Sequence, residues 1–167
     1  MQNTFLDNSL KSLSLKYPPI FDKQQHDKYV KDWREQYIGE AVAVLRPVDT
    51  EEVSKILEFS YKHTIDVVPQ GGNTSLCGAA TPDKTGKAII ISLEKMNNVR
   101  AFNKEANTIT VDAGIILSRI HEIVEEQDLF FPLSLGSKGS CMIGGNLSTN
   151  AGGVNVLKYG NTRELCL

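Results

Sequence analysis

What the sequence lacks excludes several classes of protein at once. It has no surplus of basic charge: Lys+Arg number 18 against Asp+Glu 20, a formal net charge of -2. A nucleic-acid binder carries a basic face or stripe instead. No apolar run approaches the roughly 18 residues of a membrane span. Cysteine is limited to Cys77, Cys141 and Cys166, an odd number without CxxC spacing. That points to reduced thiols in a cytoplasmic protein rather than to a zinc knuckle or a disulfide frame. The first 34 residues lack the apolar stretch of a signal peptide, and Asp7, Asp22, Asp27 and Asp32 interrupt their Lys pattern; neither a signal nor a transit peptide is expected. Two nucleotide signatures are also missing. GxxxxGK[ST] is absent, and the first crossover turn, where GxGxxG would stand, reads Arg46-Pro47-Val48-Asp49.

What is present is an ordinary globular composition, 41% hydrophobic and 23% charged over 167 residues, enough for roughly one domain with a sizeable core. Glycine is distributed unevenly. Seven of the 13 glycines lie between Gly136 and Gly160, and Gly71-Gly72 open a second cluster. Charge vanishes around both. None occurs from Pro69 to Pro82, and only Lys138 occurs from Leu129 to Val156. Exposed loops are usually charged, so two long neutral segments of Gly, Ser, Thr and Asn call for another explanation.

Between these segments the chain alternates strands and helices. Residues 22–37 read as polar, weakly helical and peripheral. Val42-Ala43-Val44-Leu45 has the continuous apolar run of a buried strand. Asp49, with Glu52 three residues later, predicts a helix N-terminus, and Val53, Ile56, Leu57, Ser60 and Tyr61 fall on one helical face. Asp66-Val67-Val68-Pro69 then returns as a strand, a β-α-β unit with parallel strands. Ala88–Leu93 is another buried strand. Val99–Asn103 and Thr108–Val111 flank the polar turn Lys104-Glu105-Ala106-Asn107 as a hairpin. A second amphipathic helix follows Gly114, with Ile116, Ile120, Ile123 and Val124 inward and Arg119, Glu122, Glu125 and Glu126 toward water.

The first neutral loop, Pro69-Gln70-Gly71-Gly72-Asn73-Thr74-Ser75-Leu76, follows a predicted strand, where α/β sheets tend to place ligand loops. Consecutive glycines permit positive φ, so that successive N–H groups converge on an anion. With no Lys or Arg in reach along the loop, the anion it suits is one held by backbone dipoles, such as a dinucleotide pyrophosphate. A ligand-free glycine turn is the other reading. The second segment, Gly136 to Gly153, has small residues that allow a flat ligand to approach the backbone, and it too could be a glycine-rich connection packed on a sheet.

Taken together, Pro69-Gln70-Gly71-Gly72-Asn73-Thr74, the stretch Pro132 to Gly153 (PLSLGSKGSCMIGGNLSTNAGG) and Leu157-Lys158-Tyr159-Gly160 resemble FAD-linked oxidases of the vanillyl-alcohol-oxidase type, with their PCMH-type FAD-binding domain. The nearest branch is that of D-2-hydroxyglutarate and D-lactate dehydrogenases or glycolate oxidase. Asp32-Trp33-Arg34, Val44-Leu45-Arg46-Pro47, Thr50-Glu51-Glu52-Val53 and Ala113-Gly114 fit the same pattern. The resemblance implies an α+β, two-lobed domain: a small parallel α/β lobe over about 38–94 and a mainly antiparallel lobe over about 95–167. A partly helical extension covers 1–37, and FAD lies between the lobes. It implies cofactor contacts from Pro69, Gln70, Gly71, Gly72, Asn73, Thr74, Ser75 and Leu76. On the second segment it implies contacts from Pro132, Leu135, Gly136, Ser137, Gly139, Ser140, Ile143, Gly144, Gly145, Asn146, Ser148, Thr149, Asn150, Gly152 and Gly153.

Some relatives attach flavin to a His in the first loop. Gly72-Asn73-Thr74 offers none, so non-covalent FAD is expected. Ser75 and Ala79 stand where close relatives carry glycine. The implied activity is oxidation of a small D-2-hydroxy acid by hydride transfer to FAD, with an unknown electron acceptor. A flavin- or nucleotide-binding module without catalysis is the alternative. The catalytic His residues and metal ligands of the dehydrogenase branch belong to a cap-bearing portion beyond Leu167, so neither catalytic nor metal-ligating residues are expected here. His26, His63 and His121 read as surface residues, Trp33 as a packing anchor, Cys141 as a small packing residue and Leu165-Cys166-Leu167 as a strand. Lys138 either meets a phosphate or solvates its loop.

Overall fold

The computed structural model describes residues 4–167; residues 1–3 of the expected extension lie outside the described part. The chain divides into two compact units, Met1–Lys95 and Met96–Leu167.

The first unit is built on a parallel sheet of β1 (Ala43–Leu45), β2 (Val67–Gln70) and β3 (Ile89–Ser92), in the order β1-β3-β2. Thus β1 and β2 do not pair with each other. The Ala88–Leu93 run inserts between them, with Ala43 opposite Ile89 on one side and Val67 opposite Ile89 on the other. β3 is buried throughout because it is the central strand with both faces covered, which is why its sequence shows no alternation. Ile89 and Ile91 face a cluster with Ala43, Leu45, Ile56 and Leu10, while Ile90 faces Val44, Tyr29 and Ala41. The helices α1 (Thr4–Lys11) and α3 (Thr50–His63) thereby cover one face, and α2 (Lys23–Val30) the other.

Asp49 caps α3 as its sequence predicts, accepting from Glu52 N at 2.8 Å. The buried face is rotated from the expected one. Glu52, Ile56 and Ser60 are buried and Phe59 packs on the core, whereas Leu57 and Tyr61 are exposed. The cause is Glu52, whose carboxylate is drawn inward to accept from Lys16 N at 2.7 Å and Val48 N at 2.9 Å. Residues 22–37 are not peripheral either. Tyr29 and Asp32 are buried, as is His26, whose Nε2 lies 2.9 Å from Ile20 O. This corrects the expectation of a surface His26: the Ile20 carbonyl, itself bridged to β1 through Val44, gives the ring a buried partner.

The second unit contains the antiparallel hairpin of β4 (Val99–Asn103) and β5 (Thr108–Val111), with a bulge between Val99 and Ala101. The helix α4 (Leu117–Glu125) buries Leu117, Ile120 and Val124. Ile116, expected inward, is instead the exposed N-cap, because Leu117 takes the place in the core beside Leu133 and Cys141. The chain closes with the short helices α5 (Ile143–Ser148) and α6 (Val156–Tyr159) and a 3-10 turn, Thr162–Leu165. That turn replaces the strand expected near Leu165. Asn161 and Glu164 form a capping box, and buried Thr162 bonds Ala151 O at 2.6 Å, coiling the segment onto the second glycine stretch.

Asp112 anchors the start of the hairpin. It accepts from Asn98 N at 3.1 Å, Asn98 Nδ2 at 2.8 Å and Arg100 Nε at 2.5 Å. Burial pushes its carboxyl upward, but the Arg100 guanidinium and the Asn98 donors outweigh burial, and the net direction is downward. A depressed carboxyl contributes stability above the unfolded value, near ~3.9, and loses it as pH falls through the folded value. Asp112→Ala is therefore expected to cost about 2 kcal/mol at neutral pH, since the Asn98 donors lose their acceptor. In urea titrations the gap to the parent chain should close below about pH 4. An equal gap at all pH values would show that the carboxylate charge contributes nothing.

Candidate functional site

The first glycine loop leaves β2 at Gln70, at the C-terminal end of a parallel strand. Gln70 is buried, and its Nε2 donates to Tyr29 O at 2.8 Å and Ala80 O at 2.7 Å. Asn73 Nδ2 donates to Lys31 O at 2.7 Å, and Arg34 Nη2 donates to Leu76 O at 2.7 Å. The start, middle and end of the loop are thus tied to the stretch 29–34. The Gln70 and Asn73 side-chain amides are occupied with positioning the loop. The N–H groups of Gly71, Gly72, Asn73, Thr74 and Leu76 donate to no other described residue.

The left-handed residue of this loop is Asn73, at φ 52, rather than Gly71 or Gly72. Asn tolerates that region through its short polar side chain, here locked to Lys31 O. The expectation of positive φ at the paired glycines is corrected accordingly. Neither glycine of the pair has a positive φ. Pro69 lies within β2. Ser75 Oγ accepts from Cys77 N at 3.3 Å and lies 3.1 Å from Cys77 Sγ. Its hydroxyl, followed by the Ala79 N–H, holds the Cys77 thiol below its ordinary value. Trp33 is 63% exposed, so it is not a packing anchor. Sequence reasoning did not assign the loop's anchors Tyr29, Lys31 and Ala80, because each contributes a backbone carbonyl, which leaves no mark in residue type. Only the Asp32-Trp33-Arg34 motif hinted that this stretch belongs with the loop.

The second glycine segment lies in the second unit and divides its residues between two tasks. Some are packed. Leu135 and Ile143 contribute to the core. A Cβ on Gly144 would stand 2.7 Å from Ala113 Cβ and 2.8 Å from Ala113 O, and one on Gly152 would stand 2.9 Å from Asn161 Oδ1. Gly153 has φ +76 and sits against Ser134 O. Others are open: a Cβ on Gly136, Gly139 or Gly145 would meet nothing within 4 Å. Pro132 O accepts from Asn155 Nδ2 at 3.0 Å, and Ser137 O accepts from Ser140 N and Cys141 N. Thr149 Oγ1 bonds Gly145 O at 3.0 Å, Ser148 O accepts from Arg163 Nη2 at 2.8 Å, and Asn150 Oδ1 accepts from Arg163 N at 3.0 Å. Cys141 is buried, as its sequence context implies, and Lys138 is exposed.

FAD fits what these residues leave free. In the first unit the four consecutive open amides from Gly71 to Thr74 suit a pyrophosphate; in the second unit, taken by itself, the side-chain-free positions 136, 139 and 145 leave the backbone open to a flat or extended group. Asn146 is 6% exposed, yet its Oδ1 has no hydrogen-bond partner. A buried acceptor left unpaired costs about 1–3 kcal/mol, a cost that a cofactor hydroxyl or ring N–H would remove.

Comparison with known proteins agrees. The family described as FAD binding domain matches residues 41–167. A mitochondrial D-2-hydroxyglutarate dehydrogenase from Danio rerio is 45% identical over 136 residues, covering 81% of this chain and 25% of that protein. The D-2-hydroxyglutarate dehydrogenase of Xanthomonas citri pv. viticola is 36% identical over 159 residues, covering 95% of this chain and 32% of its own length. Among solved structures, an alkyldihydroxyacetonephosphate synthase aligns with TM-score 0.82 at 21% identity, over 98% of this chain and 32% of that one. The 6-hydroxy-D-nicotine oxidase of Arthrobacter nicotinovorans aligns with TM-score 0.76 at 19% identity, over 91% of this chain and 32% of that one. These two likenesses establish the fold, a PCMH-type α+β arrangement. The chain spans about a quarter to a third of the length of the curated relatives it matches.

Proposed function

The chain belongs to the FAD binding domain family, and on that premise we propose that it is the cofactor-holding portion of a flavin-dependent oxidoreductase acting on a D-2-hydroxy acid. D-2-hydroxyglutarate is the favoured member of that class, since the relatives named above carry it in their names. The observation that carries the reading is the division of labour in the first loop, where side chains are bound and the row of amides is open. When bound, FAD supplies a two-electron acceptor. The N–H groups from Gly71 to Leu76 hold its pyrophosphate. Gly136, Gly139 and Gly145 give its flat or extended parts access to the backbone, and Asn146 Oδ1 accepts one of its donors.

Attachment is non-covalent, because Asn73 has no nucleophile and its amide is tied to Lys31 O. The catalytic base, the carboxylate clamp and the contacts to an electron acceptor belong to the remaining length of the relatives. No helix among the described residues is long and apolar enough to cross a membrane. The three free cysteines support a cytoplasmic setting.

The test is direct. The chain mixed with FAD and passed through a desalting column is expected to carry stoichiometric flavin, and acid precipitation should release all of it into the supernatant. Gly72→Val, which puts a branched side chain in the path of the pyrophosphate, should elute colourless with an unchanged far-UV spectrum. Full flavin retention by that folded variant would remove the loop from the site, and yellow colour fixed in the pellet would overturn non-covalent binding.

A further inference from the structure

Trp33 is the only tryptophan of the chain, and it is presented to solvent by a turn built to hold it still. Buried Asp32 is the hub of that turn: its carboxylate accepts from Tyr37 N at 2.7 Å and Arg34 N at 3.3 Å, and its own N–H donates to Tyr37 O at 3.0 Å. The Tyr37 N–H, with the Arg34 N–H, holds the Asp32 carboxyl below its ordinary value despite burial. Both neighbours of the turn grip the glycine loop, Lys31 through its carbonyl to Asn73 and Arg34 through its guanidinium to Leu76 O. The same guanidinium lies 5.9 Å from the centre of the Trp33 ring. A large indole, flanked in sequence by two residues that hold the loop and left 63% exposed, presents an open apolar surface.

Trp33 lines a pocket of about 310 Å³ together with Gly72, Asn73, Lys28, Lys31 and Glu35, a volume at the lower end for small-molecule sites. Both lysines here already have carboxylate partners. Lys31 Nζ is bound to Asp27 at 2.8 Å and Glu35 at 3.1 Å, and Lys28 Nζ is paired with Glu94 at 3.4 Å. A charge-balanced pocket with an indole wall, beside a row of open amides, suits an uncharged flat ring carried by a phosphate. We propose that Trp33 stacks on a planar nitrogen heterocycle of the bound dinucleotide, making the Asp32–Arg34 turn, which precedes the matched family region, part of the cofactor site. The inference rests on the reading that the Gly71–Leu76 amides hold FAD.

Excited flavin is quenched by electron transfer from an indole in contact with it, and ring–aromatic stacking gives a contact sensitive to truncation. Trp33→Leu is expected to weaken FAD binding roughly tenfold, in the range of a base–aromatic stack, while Trp33→Phe recovers most of the loss. Neither change should move the thermal midpoint of the apo chain, since the side chain is exposed. Two arms identify the ring. If it is the flavin, FMN binding weakens in Trp33→Leu and its bound emission rises severalfold. If it is adenine, ADP, which holds no flavin, shifts and quenches the Trp33 emission of the parent chain. Tight FAD binding by Trp33→Leu with unchanged flavin emission and no ADP effect on Trp33 would overturn the stacking role and leave the loop assignment standing. Failure of the parent chain to bind FAD at all would overturn both.

Discussion

Gly153→Val will cost the second unit its cooperative fold. Gly153 sits at φ +76, a region that β-branched residues resist. A Cβ there would be driven into Ser134 O, whose carbonyl accepts from Val154 N at 3.1 Å. Neither neighbour can yield, because both are backbone in a tight crossing between residues 134 and 154. Strain and clash together should remove about 4 kcal/mol or more, a large share of the 5–15 kcal/mol that stabilises a typical domain. Gly139→Ala and Gly145→Ala supply the contrast, since a Cβ at either position meets nothing within 4 Å. Both should unfold at or above the parent's midpoint by circular dichroism, yet bind FAD more weakly if those open positions receive it. A stable Gly153→Val would mean that the crossing at Ser134 is free to rearrange. Undiminished FAD binding in both alanine variants would take positions 139 and 145 out of the proposed site.

Supplied with FAD and a D-2-hydroxy acid, the 167-residue chain is expected to show no turnover above a buffer control. Oxidising the substrate carbon needs a base within hydrogen-bond reach of its hydroxyl, near ~3 Å, and neither glycine segment contains His, Asp or Glu. The three histidines already have structural partners. His26 lies 2.9 Å from Ile20 O and His121 lies 2.9 Å from Leu133 O, while His63 packs against Phe59 with ring centroids 4.4 Å apart. The substrate carboxylate also needs a cation, and both lysines beside the first loop are paired. Anaerobic mixing with substrate, followed at the flavin absorption band, should therefore show no bleaching. Flavin reduction by this chain alone would overturn the assignment of the base to the remaining length of the relatives.

The local patterns legible in the sequence were those carried by side-chain type. The apolar run at Ile89–Ile91 announced a strand covered on both faces, Asp49 announced the start of α3, and the turn of Lys104 to Asn107 announced the hairpin. The two neutral glycine segments, on which the proposed function rests, stood out because absent charge and absent side chains are properties of composition. Tertiary structure decided what depends on partners distant in the chain. It placed β3 between β1 and β2, a choice that local periodicity does not encode, since all three strands are apolar. It rotated the buried face of α3 by giving Glu52 two amide partners, from Lys16 and Val48. It also turned Asn73, not a glycine, into the left-handed residue of the first loop and pinned it to the Lys31 carbonyl. Backbone carbonyls are the same in every residue, so a loop held by them is invisible in a string of letters until the chain folds and brings residues 29–34 against residues 70–76.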